Sequence, residues 1–254
     1  MYTNIDNIII TDKIIIGDNM IELLEKKIIL NDNYEIREYY TPNGNVRALV
    51  SNECTQSLIY IDKEKKSQIV LDYYNYYNIP IDINPSGTDY LMLGGGGFSY
   101  PHYFINRYKD KCIDIVENNQ QCINYAKEYF YLDNLIESAK GRINIIIEDA
   151  IKYIEKCEKK YDYVLIDLFN GRTPIKEIYT EKNIENLRKI IKENGIIIVN
   201  YITTSKTYDK EINQIVKIAN YHELLINDRY FNELTKTGNI IIVLSNNEIK
   251  ISKS

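Results

Sequence analysis

The stretch Tyr90-Leu91-Met92-Leu93-Gly94-Gly95-Gly96-Gly97-Phe98-Ser99-Tyr100-Pro101 decides how the rest of this 254-residue chain is read. A short apolar run enters four consecutive glycines and then a segment in which Pro101 suits the first turn of a helix. A tight strand-to-helix turn needs fewer glycines than this, and each one costs chain entropy on folding. Backbone without Cβ atoms lets a ligand press close, and the unpaired N–H groups at a helix start favour anions and electron-rich oxygens. The run therefore reads as a binding turn at the end of a buried strand.

Toward the C-terminus, apolar runs at 112–116, 143–147, 163–166, 195–200 and 239–244 alternate with helical periodicity at 100–108, 120–129, 151–157 and 181–192, and a weaker run stands at 224–226. Such alternation with near-continuous apolar strands predicts α/β architecture, an open parallel Rossmann-like sheet with helices on both faces. Asn194-Gly195 is placed to stop the last of those helices. Toward the N-terminus the grammar changes to short strands at 8–10, 14–16, 27–30, 34–40, 46–50 and 58–61, with Asn43-Gly44 suited to a hairpin turn. Ile69, Val70, Tyr73, Tyr74 and Tyr77 recur at helical spacing and predict a helix over 65–77, ahead of Pro80 and Pro85. The expected organisation is a small β-strand domain over 1–64, a connecting helix and linker over 65–87, and a Rossmann-like nucleoside-binding catalytic domain over 88–254.

Ligands of open α/β sheets bind outside the carboxyl ends of the strands, so those ends are where chemistry is expected. Gly94, Gly95, Gly96 and Gly97 form the first end. Glu117 closes the second strand 23 positions after Gly94, where a carboxylate commonly accepts hydrogen bonds from ribose hydroxyls; the rival reading is a solvated strand-end acid. The third end is Glu148-Asp149-Ala150, in which Asp149 suits either an adenine amino group or the N-cap of the next helix, and the sequence leaves both open. The fourth delivers Asp167, then Leu168-Phe169-Asn170-Gly171-Arg172. A carboxylate there can orient or deprotonate an attacking amine and favour a cationic centre, or it can fix its own loop by hydrogen bonds. Position alone aims Arg172 at an acidic acceptor, and His102, in the helix just after the glycine turn, reads as a helix-surface or packing residue.

Composition excludes several classes. Hydrophobic residues make up 44% and charged residues 26%, with no long apolar run, which predicts a globular chain that does not enter a membrane. The start shows no export signal, so a cytoplasmic location is expected. Cys54, Cys112, Cys122 and Cys157 are widely spaced with only His102 and His222 beside them, which predicts reduced packing thiols and no metal site. Net charge is −5 with lysines interspersed among acids, the opposite of a nucleic-acid footprint.

With the glycine turn, Glu117, Asp149 and Asp167 in order, the chain resembles the spermidine synthase family of polyamine aminopropyltransferases. The likeness runs through 161–167, Tyr-Asp-Tyr-Val-Leu-Ile-Asp, to Thr237-Gly238-Asn239, and includes the strand-built N-terminal part. It implies a class I methyltransferase-type sheet that binds an S-adenosylmethionine-type donor, with Glu117 on the ribose, Asp149 and Ala150 at the adenine and Asp167 activating an amine. It also implies a place for Gln56 near donor and amine, and a homodimer. Asn170 and Tyr73 fall in the stretches compared with the family's amine-binding motifs, and Arg172 joins them as a substrate-side candidate by position alone.

The departures are chemical. The family's acid after three glycines is Gly97 here, its Asp-x-x-Asp becomes Asp167-Leu168-Phe169-Asn170, and its Tyr-His-Glu stretch has no match beside Leu71-Asp72-Tyr73-Tyr74. Loss of the acid at Gly97 puts methyl transfer from S-adenosylmethionine to a small amine-like acceptor first, ahead of aminopropyl transfer from decarboxylated S-adenosylmethionine. Two other classes stay open: a nucleoside-binding protein without turnover, and a nicotinamide-dependent oxidoreductase, for which the third glycine of G-x-G-x-x-G falls on Ser99.

Overall fold

The computed structural model describes residues 14–16, 19–21, 24–31, 33–52, 54–203, 208–232 and 237–249. Strands β1 (Ile14–Ile16) and β2 (Asn19–Ile21) form an antiparallel pair, and the run expected at 8–10 lies outside the described residues. Strands β3 (Leu24–Ile29), β4 (Tyr34–Tyr39), β5 (Val46–Ser51) and β6 (Cys54–Tyr60) follow as an antiparallel meander. Period-two alternation divides its side chains. Ile36, Leu49 and Ile59 enter the large core shared with the central sheet, whereas Tyr39, Val46, Ala48 and Leu58 pack in a small core of their own with Val70.

The helix predicted over 65–77 is not the one that forms. Turns occupy 62–68, a 3-10 helix covers Asp72–Asn78, and α1 (Ile79–Ile83) continues from it with Pro80 in its first turn, not in a linker. With three residues per turn, Tyr74 and Tyr77 fall one above the other on the buried face of this segment. The hydroxyls of Tyr90 and Tyr100 both donate to the Tyr77 carbonyl, at 2.9 and 3.2 Å, and hold this segment on the sheet.

The second half builds β7 (Asp89–Leu93), α2 (Ser99–Arg107), β8 (Cys112–Glu117), α3 (Gln120–Tyr129), α4 (Leu132–Ala139), β9 (Ile143–Ile147), α5 (Ala150–Lys156) and β10 (Tyr161–Ile166). The short pair β11 (Phe169–Asn170) and β12 (Thr173–Pro174) precedes α6 (Glu181–Ile190), β13 (Ile191–Thr203), α7 (Tyr208–Ile215), β14 (Tyr221–Asn232) and β15 (Thr237–Ser245). One seven-stranded sheet results, ordered β14-β15-β13-β10-β7-β8-β9, parallel except where β15 runs antiparallel to β13 and β14. Successive residues serve opposite faces. Tyr90, Met92, Ile115 and Leu165 join α2, α3 and α4 in one core, while Leu91, Leu93, Val116 and Ile166 join α5, α6 and α7 in the other. Each fully buried aliphatic side chain of this kind contributes about 1.5–3 kcal/mol.

The helix expected at 181–192 ends at Ile190, and Asn194-Gly195 lies inside β13, not at a helix stop. Between Tyr161↔Ile191 and Tyr163↔Ile196 the register slips, a bulge in which β13 carries three more residues than β10. A Cβ at Gly195 would come within 2.6 Å of the Ile191 side chain, which explains the glycine by packing. No helix among the described residues is long and apolar enough to cross a membrane.

Strands β8 and β9 are laid to one side of β7 and β10 and β13 to the other, so the chain reverses direction across β7. That reversal opens a crevice at the carboxyl ends of the strands.

Candidate active site

A cavity of about 1040 Å³ occupies the crevice, at the upper end of the ~300–1,000 Å³ of small-molecule sites. Strand ends form its floor, β4 and β6 one wall, and Tyr73 and Tyr74 of the 3-10 segment another. Gly94, Gly95, Gly96, Glu117, Asp149, Ala150, Asp167, Gln56, Asn170, Arg172 and Tyr73 all line it, so residues chosen from separate strand ends come together.

Gly94 and Gly96 adopt φ of +97° and +50°, the left-handed region that a side chain resists. At Gly94 a Cβ would fall 2.2 Å from the carbonyl oxygen of Asp167, so turn and β10 exit touch backbone to backbone. Glu117 is not the solvated strand-end acid. It is buried, its Oε2 accepts the N–H groups of Gly95 and Gly96 at 2.9 and 3.1 Å, and its Oε1 accepts the N–H of Asn119 at 2.9 Å. Beside it, burial first and the Glu117 charge second push the Cys122 thiol up to about 12. That thiol stays neutral and donates to the Gly96 carbonyl at 3.7 Å.

Gly97 does not share the cavity. Its N–H donates to Ser57 Oγ at 2.7 Å, and a Cβ there would sit 2.7 Å from Ser57 Cβ. With the Phe130 ring 3.2 Å from the same point, packing against β6 resists any side chain at this position. Introducing the family's acid, Gly97→Asp, is expected to destabilise the fold by about 1–3 kcal/mol through overpacking. Urea denaturation measures this, and an unchanged midpoint would show that Ser57 yields freely.

Asp149 fills the helix-capping role: its Oδ1 accepts from Ile151 N and Lys152 N, both at 3.0 Å, while the carboxylate still borders the cavity. Neighbouring Glu148 pairs with Lys156 at 2.7 Å. Gln56 lies within β6, where its Nε2 donates to the Cys54 carbonyl at 3.1 Å. Asn170 and Arg172 ride on the β11–β12 turn, and the Tyr73 ring meets Tyr74 and Tyr77 edge-on at 4.7 and 5.8 Å.

Asp167 is held from two sides. Tyr77 Oη donates to Oδ2 at 3.0 Å and Asn200 Nδ2 to Oδ1 at 2.8 Å, while Asn239 Nδ2 in turn donates to Asn200 Oδ1. Burial pushes the carboxyl up to about 6 from an ordinary 3.8, against the two hydrogen bonds, which lower it. The group can therefore take or release a proton near neutral pH. The Tyr77 phenol is driven well above its ordinary value by burial and then by the Asp167 charge, so it remains a donor.

Sequence reasoning missed Ser57, Tyr77 and Asn200. Asn200 ends the run read at 195–200 and lay within reach of the same strand-end rule that selected Asp167. His102 is a packing residue: it is buried, its Nε2 lies 2.7 Å from the Phe130 carbonyl, and burial lowers its imidazole to about 4. Cys54 and Cys122 border the cavity and Cys112 is exposed, so the four thiols are not uniformly packing residues.

The family model described as spermine/spermidine synthase domain matches residues 76–231. The polyamine aminopropyltransferase of Vibrio vulnificus (strain CMCP6) is 29% identical over 162 residues, covering 63% of this chain and 52% of that protein. That of Thermoplasma volcanium is 29% identical over 173 residues, covering 68% and 57%. This chain thus spans about half the length of the curated relatives it matches. Among solved structures, a probable spermidine synthase from Corynebacterium glutamicum ATCC 13032 superposes with a TM-score of 0.72 at 18% identity, over 90% of this chain and 82% of that one. Human methyltransferase-like protein 13 in complex with SAH gives 0.55 at 17% identity, over 69% and 79%. Both likenesses are of fold: the central sheet is of the class I methyltransferase type.

Proposed function

We propose, on the premise that this chain belongs to the spermine/spermidine synthase family, that it transfers an aminopropyl group from decarboxylated S-adenosylmethionine to an amine. The observation that carries the reading is Asp167, a carboxylate poised near neutral pH in the same cavity as the glycine turn, Glu117 and Asp149. In this reading Gly94, Gly95, Gly96 and Glu117 hold the ribose. Asp149 and Ala150 border the adenine, Gln56 lies between donor and amine, and Asp167 receives the proton of the attacking nitrogen. Asn170, Arg172 and Tyr73 face the acceptor. In the same reading 1–64 is a β-strand N-terminal domain, 65–87 the connecting segment and 88–254 the nucleoside-binding catalytic domain.

Methyl transfer moves to second place. It rested on the glycine at 97 as a cavity residue, and that position packs against Ser57 instead of lining the cavity. The relatives named above are aminopropyltransferases.

Incubation with decarboxylated S-adenosylmethionine and an amine panel is expected to release methylthioadenosine, with no S-adenosylhomocysteine from S-adenosylmethionine under the same conditions. The reverse pattern restores methyl transfer. Binding of a reduced nicotinamide nucleotide in the micromolar range, seen by fluorescence titration, would replace both.

A further inference from the structure

The charge distribution on the acceptor side of the cavity points to an amine that carries a carboxylate at its far end, recognised by Arg172, and not to a diamine. This inference rests on the aminopropyl-transfer reading and specifies its acceptor.

The carboxylates and guanidinium groups lining the cavity, among the described residues, are those of Glu117, Glu148, Asp149, Asp167, Arg37 and Arg172. Most are already committed. Glu117 and Asp149 accept backbone N–H groups, Glu148 pairs with Lys156, and Arg37 pairs with Glu35. The three committed acids end β8 or follow β9, on one side of the glycine turn. On the other side, beyond β10, the wall is built from the amides of Asn170, Asn200 and Asn239 together with Asp167 and Arg172. Asp167 is therefore the single carboxylate of that half among the described residues, and the reacting nitrogen uses it.

A diamine would bring a second ammonium into this half. Desolvating an ammonium without a carboxylate partner costs several kcal/mol, and a guanidinium at the same wall adds repulsion. Arg172 makes no hydrogen bond or ion pair within the described residues and stands on the β11–β12 turn next to Gly171, whose φ is +62°. Its planar fork matches a carboxylate through two parallel hydrogen bonds.

The chemical step balances without a further reactant. The amine lone pair attacks the propyl methylene attached to the sulfonium, the C–N bond forms, and the C–S bond breaks with its electron pair passing to sulfur. Neutral methylthioadenosine leaves, and the new ammonium gives one proton to Asp167, from which it passes to solvent.

Matched acceptors of equal reach test this: putrescine against γ-aminobutyrate, and cadaverine against δ-aminovalerate, each with decarboxylated S-adenosylmethionine and methylthioadenosine release as the readout. In each pair the carboxylate member is expected to show kcat/KM higher by about tenfold or more, the worth of one charge-assisted hydrogen bond. Arg172→Gln should erase that preference through KM while kcat changes little, and Arg172→Lys should restore part of it. Preference for the diamine members, or an unchanged ratio in Arg172→Gln, overturns the acceptor assignment and leaves aminopropyl transfer standing. Absence of methylthioadenosine with every member of both pairs overturns both.

Discussion

Asp167→Asn is expected to abolish most turnover, lowering kcat by about 10²–10⁴-fold, and at the same time to make the protein more stable at neutral pH. The two effects share one cause. Burial pushes this carboxyl from an ordinary 3.8 up to about 6, so holding it ionised works against the fold. Below pH 3.8 the group is protonated in folded and unfolded chains alike and the position costs nothing. As pH rises from there through 6, the unfolded chain ionises first and the fold loses about 3 kcal/mol, at ~1.4 kcal/mol per pH unit between the two values. An amide has no such loss, and it can accept from Asn200 while its NH₂ donates to the Tyr77 oxygen, in the places of the present hydrogen bonds. Thermal or urea denaturation of the two proteins should give equal stability near pH 4 and a gap that opens until about pH 7. A gap that is absent or reversed would mean that water reaches the carboxylate and screens it. In the parent protein kcat/KM should fall on the acid side with an inflection near 6, where the proton acceptor becomes occupied.

That pairing of stability loss with proton affinity explains which parts of the site were legible in sequence. The glycine turn, Glu117, Asp149 and Asp167 were found because each is a local event, a strand end followed by an unusual residue, and the sheet collects strand ends at one edge by its topology. The strands of the central sheet were legible for a related reason: runs such as Ile196-Ile197-Ile198-Val199 are apolar at every position because alternate side chains serve two cores. What sequence spacing does not carry is contact between distant positions. Tyr77 reaches Asp167 across 90 positions, and Ser57 meets the glycine at 97 across 40, so neither the proton-holding partner nor the packing around that glycine has a local signature. The tyrosines at 73, 74 and 77 satisfy a helical template, and the segment forms a 3-10 helix over Asp72–Asn78, a choice of turn that i, i+3 spacing alone does not make. Helix α4 was missed because it follows α3 after only Phe130 and Tyr131, with Tyr131 in the left-handed region and no glycine or proline between them.

The second large effect concerns Glu117, where substitution by its own amide is expected to be more damaging than its size suggests. All three N–H groups that point at this carboxylate are donors, two on Oε2 and one on Oε1. In Glu117→Gln one of those positions becomes an NH₂ facing N–H, so either the glycine turn or Asn119 loses its acceptor. An unsatisfied donor of this kind costs about 1–3 kcal/mol, and the turn relaxes away from the geometry in which Gly96 holds φ at +50°. Calorimetry with methylthioadenosine should show affinity reduced by roughly 10–100-fold, the same free energy expressed at the ligand. The proposed ribose contact and the observed clamp on the turn separate in the comparison with Asn119→Ala. That change removes the side chain that accepts Gln121 N and Cys122 N at the start of α3 but leaves every acceptor of the turn in place. It should cost stability, about 1 kcal/mol for a lost cap, with methylthioadenosine affinity nearly intact. If both variants weaken the nucleoside equally, then disorder at the head of α3, and not the carboxylate, governs binding.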